Sequence, residues 1–204
     1  MWPGSNSRMR LFIAVPSHGM WEAAMAHSLA VTMAHLAASD GPEHMHLMRC
    51  ESSKLASGRT DLAKAALEQG ADRILWVDTD QIFRPQHVRA LLAHDLDIVA
   101  VDYAKKIPSQ ESVCAALDGT VLKKGIGLEE VAHAGMGLML VKTDVFRKVG
   151  LPWFQFQWNP VTQDDIGEDV FFCRKARAAG FKVFVDHDAS DGIGHVGKFT
   201  YRVG

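Results

Sequence analysis

Short apolar runs alternate with amphipathic stretches through the first hundred residues. Leu11-Phe12-Ile13-Ala14-Val15 is an apolar run stopped by Pro16, which predicts a buried strand. From about Trp21 to Ala38 the spacing changes. Met25, Leu29, Met33 and Leu36 recur three or four residues apart, on one face of a helix, and Asp40-Gly41-Pro42 ends it. A weaker strand is predicted from about His46 to Cys50, then a helix from about Thr60 to Gln69 that stops at Gly70. The run Ile74-Leu75-Trp76-Val77 predicts the next strand, Pro85 opens a helix reaching about His94, and Asp97 to Val101 predicts another strand. This alternation predicts the α/β class: a single Rossmann-like domain with a mostly parallel central sheet flanked by helices.

The second half is less regular. Residues 103 to 130 are polar and turn-rich, with weak strands expected around 112–117 and 120–122. Gly135 to Val141 reads as a strand with a glycine-rich start, and Thr143 as the cap of a short helix ending before Gly150. Leu151 to Asp165 reads as an aromatic-rich loop, Gly167 to Ala179 as a helix, and Phe181 to Val185 as a last strand before a Gly/His-rich tail. Residues 1–9 are expected to be a disordered leader and residues 10–204 one domain.

Composition narrows the function classes. The hydrophobic fraction is 48%, the charged fraction 23% and the net charge −2, so no surface built to coat nucleic acid is indicated. Cys50, Cys114 and Cys173 have no C-x-x-C spacing, which argues against a zinc knuckle or a disulfide scaffold and fits a cytoplasmic setting. No apolar run of about 18 residues exists to make a spanning helix.

The sharpest chemical signal is Asp78-Thr79-Asp80, directly after the run 74–77. Two carboxylates one residue apart at a strand end can reach one divalent cation, and Mg²⁺ and Mn²⁺ prefer such oxygen ligands. Acidic turn residues are the plainer explanation. Three further segments accompany the pair: Ala14-Val15-Pro16-Ser17, Gly167-Glu168-Asp169 and Gly194-His195-Val196-Gly197. In an α/β sheet, ligands gather at the carboxyl ends of the strands, where the first two segments fall.

In this order the four segments resemble the GT-A glycosyltransferases, in particular family 2. The resemblance is carried by 74–80, by Ala134 to Val141 and by Gly167 to Ala176, and spans about Leu11 to Gly197. It implies a GT-A domain that moves a sugar from a UDP- or GDP-type nucleotide sugar to an unknown acceptor, using Mn²⁺ or Mg²⁺. It implies Asp80 as the main metal ligand, Asp78 as a contact to ribose or metal, and His195 as a further ligand. Asp169 becomes the base of an inverting reaction, with Glu168 beside it. Asp165 in Gln163-Asp164-Asp165 is the second choice for the base. Pro16 and Ser17 are implied near the nucleoside base and Arg59 near the diphosphate or base. Gly135 and Gly137 would let the backbone approach the sugar.

Other readings are plainer. Glu168 and Asp169 also suit a first helical turn, where the helix dipole favours anions. Arg59 also reads as a surface residue at a helix start, and Lys105-Lys106 as a solvated pair. Trp153, Phe154, Phe156 and Trp158 read equally as a sugar platform or as core. His44 and His46 read as a loop pair, and His187 as a support to the site or a surface residue. The loop Pro16-Ser17-His18-Gly19 departs from the family's pattern and leaves the base open. The small size leaves room for a homo-oligomer that completes the acceptor site. Two rival functions remain: a nucleotide-sugar-binding protein without turnover, and a nucleotidyltransferase. The second would need a basic phosphate loop after the first strand, and residues 16–21 contain no Lys or Arg.

Overall fold

A computed structural model describes residues 9–197 and 200–201. The expected leader, apart from Met9, lies outside them. The chain runs β1 (Arg10–Ser17), α1 (Ala23–Ala37), β2 (His44–Glu51), α2 (Leu55–Glu68), β3 (Arg73–Val77), β4 (Gln81–Ile82), α3 (Pro85–Ala93) and β5 (Ile98–Ala100). It continues with β6 (Leu128–Val131), β7 (Leu138–Lys142), α4 (Thr143–Val149), β8 (Gln157–Asn159), β9 (Asp164–Ile166), α5 (Glu168–Ala178), β10 (Val183–Asp186), β11 (Gly194–Val196) and β12 (Thr200–Tyr201).

The central sheet has seven strands in the order β2-β1-β3-β7-β5-β10-β6. Strands β2, β1, β3, β5 and β10 run in one direction, while β7 and β6 run against them. The expected α/β architecture is therefore present. Alternating residues of each central strand face opposite layers. Phe12, Ala14, Ile74 and Trp76 pack with Leu62, Ala66, Phe146 and Phe172 from α2, α4 and α5. Leu11, Ile13, Leu75 and Val77 pack with Met25, Leu29, Val88 and Leu91 from α1 and α3. Both faces are covered, which is why the strands read as unbroken apolar runs. Burying one such aliphatic side chain stabilises the fold by roughly 1.5–3 kcal/mol.

Several local expectations need correction. Helix α2 starts at Leu55, not near Thr60, so Arg59 lies inside it on its buried face. Thr143 is the first residue of α4 and not its cap; its Oγ1 donates to the carbonyl of Ala71 at 2.8 Å. The stretch 151–165 is not all loop, because β8 and β9 form a hairpin. The weak strands at 112–122 are isolated bridges, and the nearby strand is β6, which escaped notice because Leu128-Glu129-Glu130-Val131 looks polar. His44 and His46 stand in edge strand β2, where His46 stacks on Phe12 with centroids 5.3 Å apart. Among the described residues, no helix is long and apolar enough to cross a membrane.

Candidate active site

The carboxyl ends of the parallel strands β1 and β3 bring segments 14–17 and 78–80 to one edge of the sheet. Asp78 follows β3 directly, and its N–H donates to the carbonyl of Gly137 at 3.0 Å. Its Oδ1 accepts a hydrogen bond from Arg59 Nη2 at 2.7 Å, and Arg59 Nε donates to Glu168 Oε1 at 3.0 Å. Arg59 is 2% exposed, and its guanidinium lies 5.6 Å from the Trp76 ring centroid. One buried cation thus ties the D-x-D turn to the start of α5. A planar fork suits this role, since it serves two carboxylates with separate N–H groups.

The charge balance here is lopsided. Arg59 faces Asp78 and Glu168, with Asp169 close enough to feel both its charge and that of Asp78. Burial pushes the proton affinity of Asp169 up; the Val170 N–H at 2.7 Å and Arg59 oppose the rise, and Asp78 adds to it. Glu168, 5% exposed, is also raised by burial, against the pull of Arg59. Burial disfavours the charge on Arg59, but Asp78 and Glu168 outweigh it and hold Arg59 above its ordinary range. Arg59 is therefore a permanent cation, and the carboxylate Asp169 is tuned toward accepting a proton.

Asp80 sits at the other end of the turn. His195 Nδ1 lies 2.8 Å from the carbonyl of Ala104, which assigns the proton to that nitrogen. His195 Nε2 then lies 3.5 Å from Asp80 Oδ1, an oxygen that is buried and has no hydrogen-bond partner within normal distance among the described residues. Lys106 Nζ contacts the other oxygen, Oδ2. Burial pushes the Asp80 carboxyl up, but His195 and Lys106 outweigh it and hold it below the usual aspartate range. The backbone fixes the pair: His195 is in register with Gln81 between β11 and β4, and the Val196 N–H donates to Asp80 O at 2.8 Å.

An imidazole held through Nδ1 by a backbone carbonyl, with Nε2 turned toward a carboxylate oxygen unpartnered among the described residues, fits a divalent cation. Among the described residues, no group of three His, Cys, Asp or Glu forms a ready metal cluster. A cation here needs further oxygens, as Mg²⁺ and Mn²⁺ commonly take from phosphates and water. Asp78 stands apart from this pair, committed through one oxygen to Arg59.

The remaining candidates divide. Pro16 and Ser17 are buried at the end of β1, and the loop beyond them leans on the D-x-D turn through Glu22 N–H to Thr79 O at 2.9 Å. Gly135 and Gly137 have a reason that the sequence did not reveal. A Cβ on Gly137 would come within 2.7 Å of the Tyr103 hydroxyl, and one on Gly135 within 2.5 Å. The ring of Tyr103 fills that space and packs edge-on against His195, and its hydroxyl oxygen accepts the Gly137 N–H at 2.9 Å. Asp165 is exposed on the β8–β9 hairpin, paired in register with Trp158, and no described contact joins it to Arg59, Asp78 or Asp80.

Three plainer readings also change. Trp153 and Phe154 are core, whereas Phe156 and Trp158 are 50% and 61% exposed. His187 is buried, held between the Gly125 N–H and Glu129. Lys105 and Lys106 are not an equivalent solvated pair: Lys105 lies 3.9 Å from Glu111, but Lys106 reaches into the site. Gln81 was missed altogether. It is fully buried beside Gly137 with neither amide atom partnered among the described residues, and its only signal was adjacency to Asp80.

The chain shares its fold with A197 from STIV. The two superpose with a TM-score of 0.62 at 19% identity, covering 92% of this chain and 86% of that one. Two further solved structures overlap more loosely. A nucleoside-diphosphate-sugar pyrophosphorylase from Vibrio cholerae RC9 gives a TM-score of 0.40 at 11% identity, over 88% of this chain and 72% of that one. A glycosyltransferase involved in glycosylation of the major capsid of PBCV-1 gives 0.40 at 11%, over 70% and 69%. At that TM-score these two carry no functional weight. No protein-family model and no curated protein matches the chain.

Proposed function

We propose that this protein is a metal-dependent glycosyltransferase. It transfers a sugar from a UDP- or GDP-type nucleotide sugar to an acceptor hydroxyl, with inversion. The observation that supports the reading is the Arg59 bridge from Asp78 to Glu168, the neighbour of Asp169 in the chain. A helix start that only satisfied its dipole would need no buried arginine from another element.

Asp80 and His195 would hold Mn²⁺ or Mg²⁺, which when bound stabilises the departing diphosphate as a Lewis acid. Asp78 and the loop after β1 border the ribose and base. Asp169 accepts the proton of the acceptor hydroxyl as its oxygen bonds to the anomeric carbon. The bond from that carbon to the diphosphate oxygen breaks, and the diphosphate leaves with the electron pair. The raised proton affinity of Asp169 suits a base that must hold the proton once taken.

The test is release of nucleoside diphosphate from a panel of UDP- and GDP-sugars with mixed glycan acceptors, in Mn²⁺, Mg²⁺ or EDTA. Release is expected with metal only, and Asp80→Ala should lose it by about 10²-fold or more, given several kcal/mol of charge stabilisation. Donor binding without release would instead support the binding-protein alternative. Pyrophosphate release from a nucleoside triphosphate and a sugar phosphate would support the nucleotidyltransferase alternative.

A further inference from the structure

We infer that Lys106 is the resting counter-ion of the cation site and moves onto the diphosphate when the donor enters. This rests on the metal centre proposed above. Two observations motivate it. Lys106 Nζ contacts Asp80 Oδ2, so an ammonium stands on one of the two oxygens a cation would use. The other, Oδ1, is buried with no hydrogen-bond partner among the described residues.

The surroundings fix what Lys106 can do. It lies two residues beyond Ala104, whose carbonyl is held by His195 and whose backbone bridges Ser112. The lysine is thus tethered close to the Ala104 carbonyl that holds the imidazole, while the imidazole itself comes from β11. Its side chain is 35% exposed, so it turns on a flexible four-carbon stem and is not packed into the core. Lys105 points elsewhere, toward Glu111.

A cation arriving alone must displace an ammonium from Asp80 and gains only one imidazole and one carboxylate. A cation arriving with a diphosphate brings its own oxygens and offers the displaced ammonium two phosphate groups within the sweep of its stem. Lys106 therefore opposes the free metal and favours the metal with its nucleotide, which makes binding of the two cooperative. During transfer its charge lies against the leaving group, adding to what the cation supplies.

The experiment is titration of Mn²⁺, followed by the paramagnetic resonance of the free ion, into wild type, Lys106→Gln and Lys105→Gln, first alone and then with UDP or GDP. Lys106→Gln should bind Mn²⁺ alone about tenfold more tightly, as expected for removing a charge-assisted contact to a partly buried carboxylate. It should also lose most of the tightening that the nucleotide brings. Lys105→Gln should match wild type in both. Equal Mn²⁺ affinity in wild type and Lys106→Gln would overturn the role of Lys106 and leave the metal centre standing. Absence of Mn²⁺ binding in all three proteins, with and without nucleotide, would overturn the centre and Lys106 together.

Discussion

Replacing Arg59 by methionine should destabilise the fold by about 3–5 kcal/mol, the cost of removing one partner from a buried ion pair. Methionine keeps much of the stem volume, so the loss reports charge and not a cavity. Without Arg59, Asp78 and Glu168 lose the buried cation that joins them, and Asp169 loses its attraction. Urea unfolding at pH 7 measures the loss. Acid should narrow the gap between variant and wild type, because the stranded carboxylates take up protons in the folded state and shed their repulsion. Arg59→Lys should fall between the two, since an ammonium keeps the charge but loses the fork that serves two carboxylates at once. A loss of under ~1 kcal/mol, the range of exposed pairs, would mean that Arg59 does not bind the two halves of the site.

Asp169→Asn should lower kcat by about 10²–10⁴-fold while leaving donor binding nearly unchanged, as expected for loss of a positioned base. The same change should stabilise the protein. Burial raises the proton affinity of Asp169 in the folded state, so its contribution to stability is present below the unfolded aspartate range and is lost as pH rises through the raised folded value. Asparagine removes that loss at neutral pH and can still accept the Val170 N–H. In wild type, kcat/KM should climb with pH through a midpoint above the ordinary 3.8 of aspartate, and the variant should lack that limb. A variant of full activity would transfer the base role elsewhere. Asp165 is poorly placed to inherit it, being exposed on the β8–β9 hairpin.

Much of the fold was legible because strands covered on both faces leave apolar runs that survive without any tertiary knowledge. Leu11 to Val15 and Ile74 to Val77 are such runs, and the D-x-D turn could be placed from the second alone. Strand direction was not legible. Leu138 to Lys142 enters the sheet centre against its neighbours, and an apolar run carries no mark of polarity. Short antiparallel pieces such as β4 with β11 were also hidden, since two or three residues hold no period.

The site shows the same division. Asp80 and His195 were paired as expected ligands by the family resemblance, and the structure brings them within 3.5 Å. The partners that define their chemistry were not visible. A buried arginine looks like any surface arginine until the helix is known to begin at Leu55 and turn residue 59 inward. Gly135 and Gly137 signalled close approach, but the approaching group is the ring of Tyr103 from another strand end. Lys106 looked solvated because its carboxylate partner lies far away in sequence, in the D-x-D turn.

The most direct measurement is a thermal-shift comparison of wild type and Asp80→Ala with UDP, GDP and their sugars, each in Mn²⁺, Mg²⁺ or EDTA. A ligand that binds the folded state alone, at about 100 times its Kd, adds roughly 2.7 kcal/mol of stability. The account predicts a clear upward shift for one diphosphate series in wild type with metal, lost in EDTA and in Asp80→Ala. No shift with any nucleotide, or one indifferent to both metal and Asp80, would contradict a cation-dependent nucleotide-sugar site.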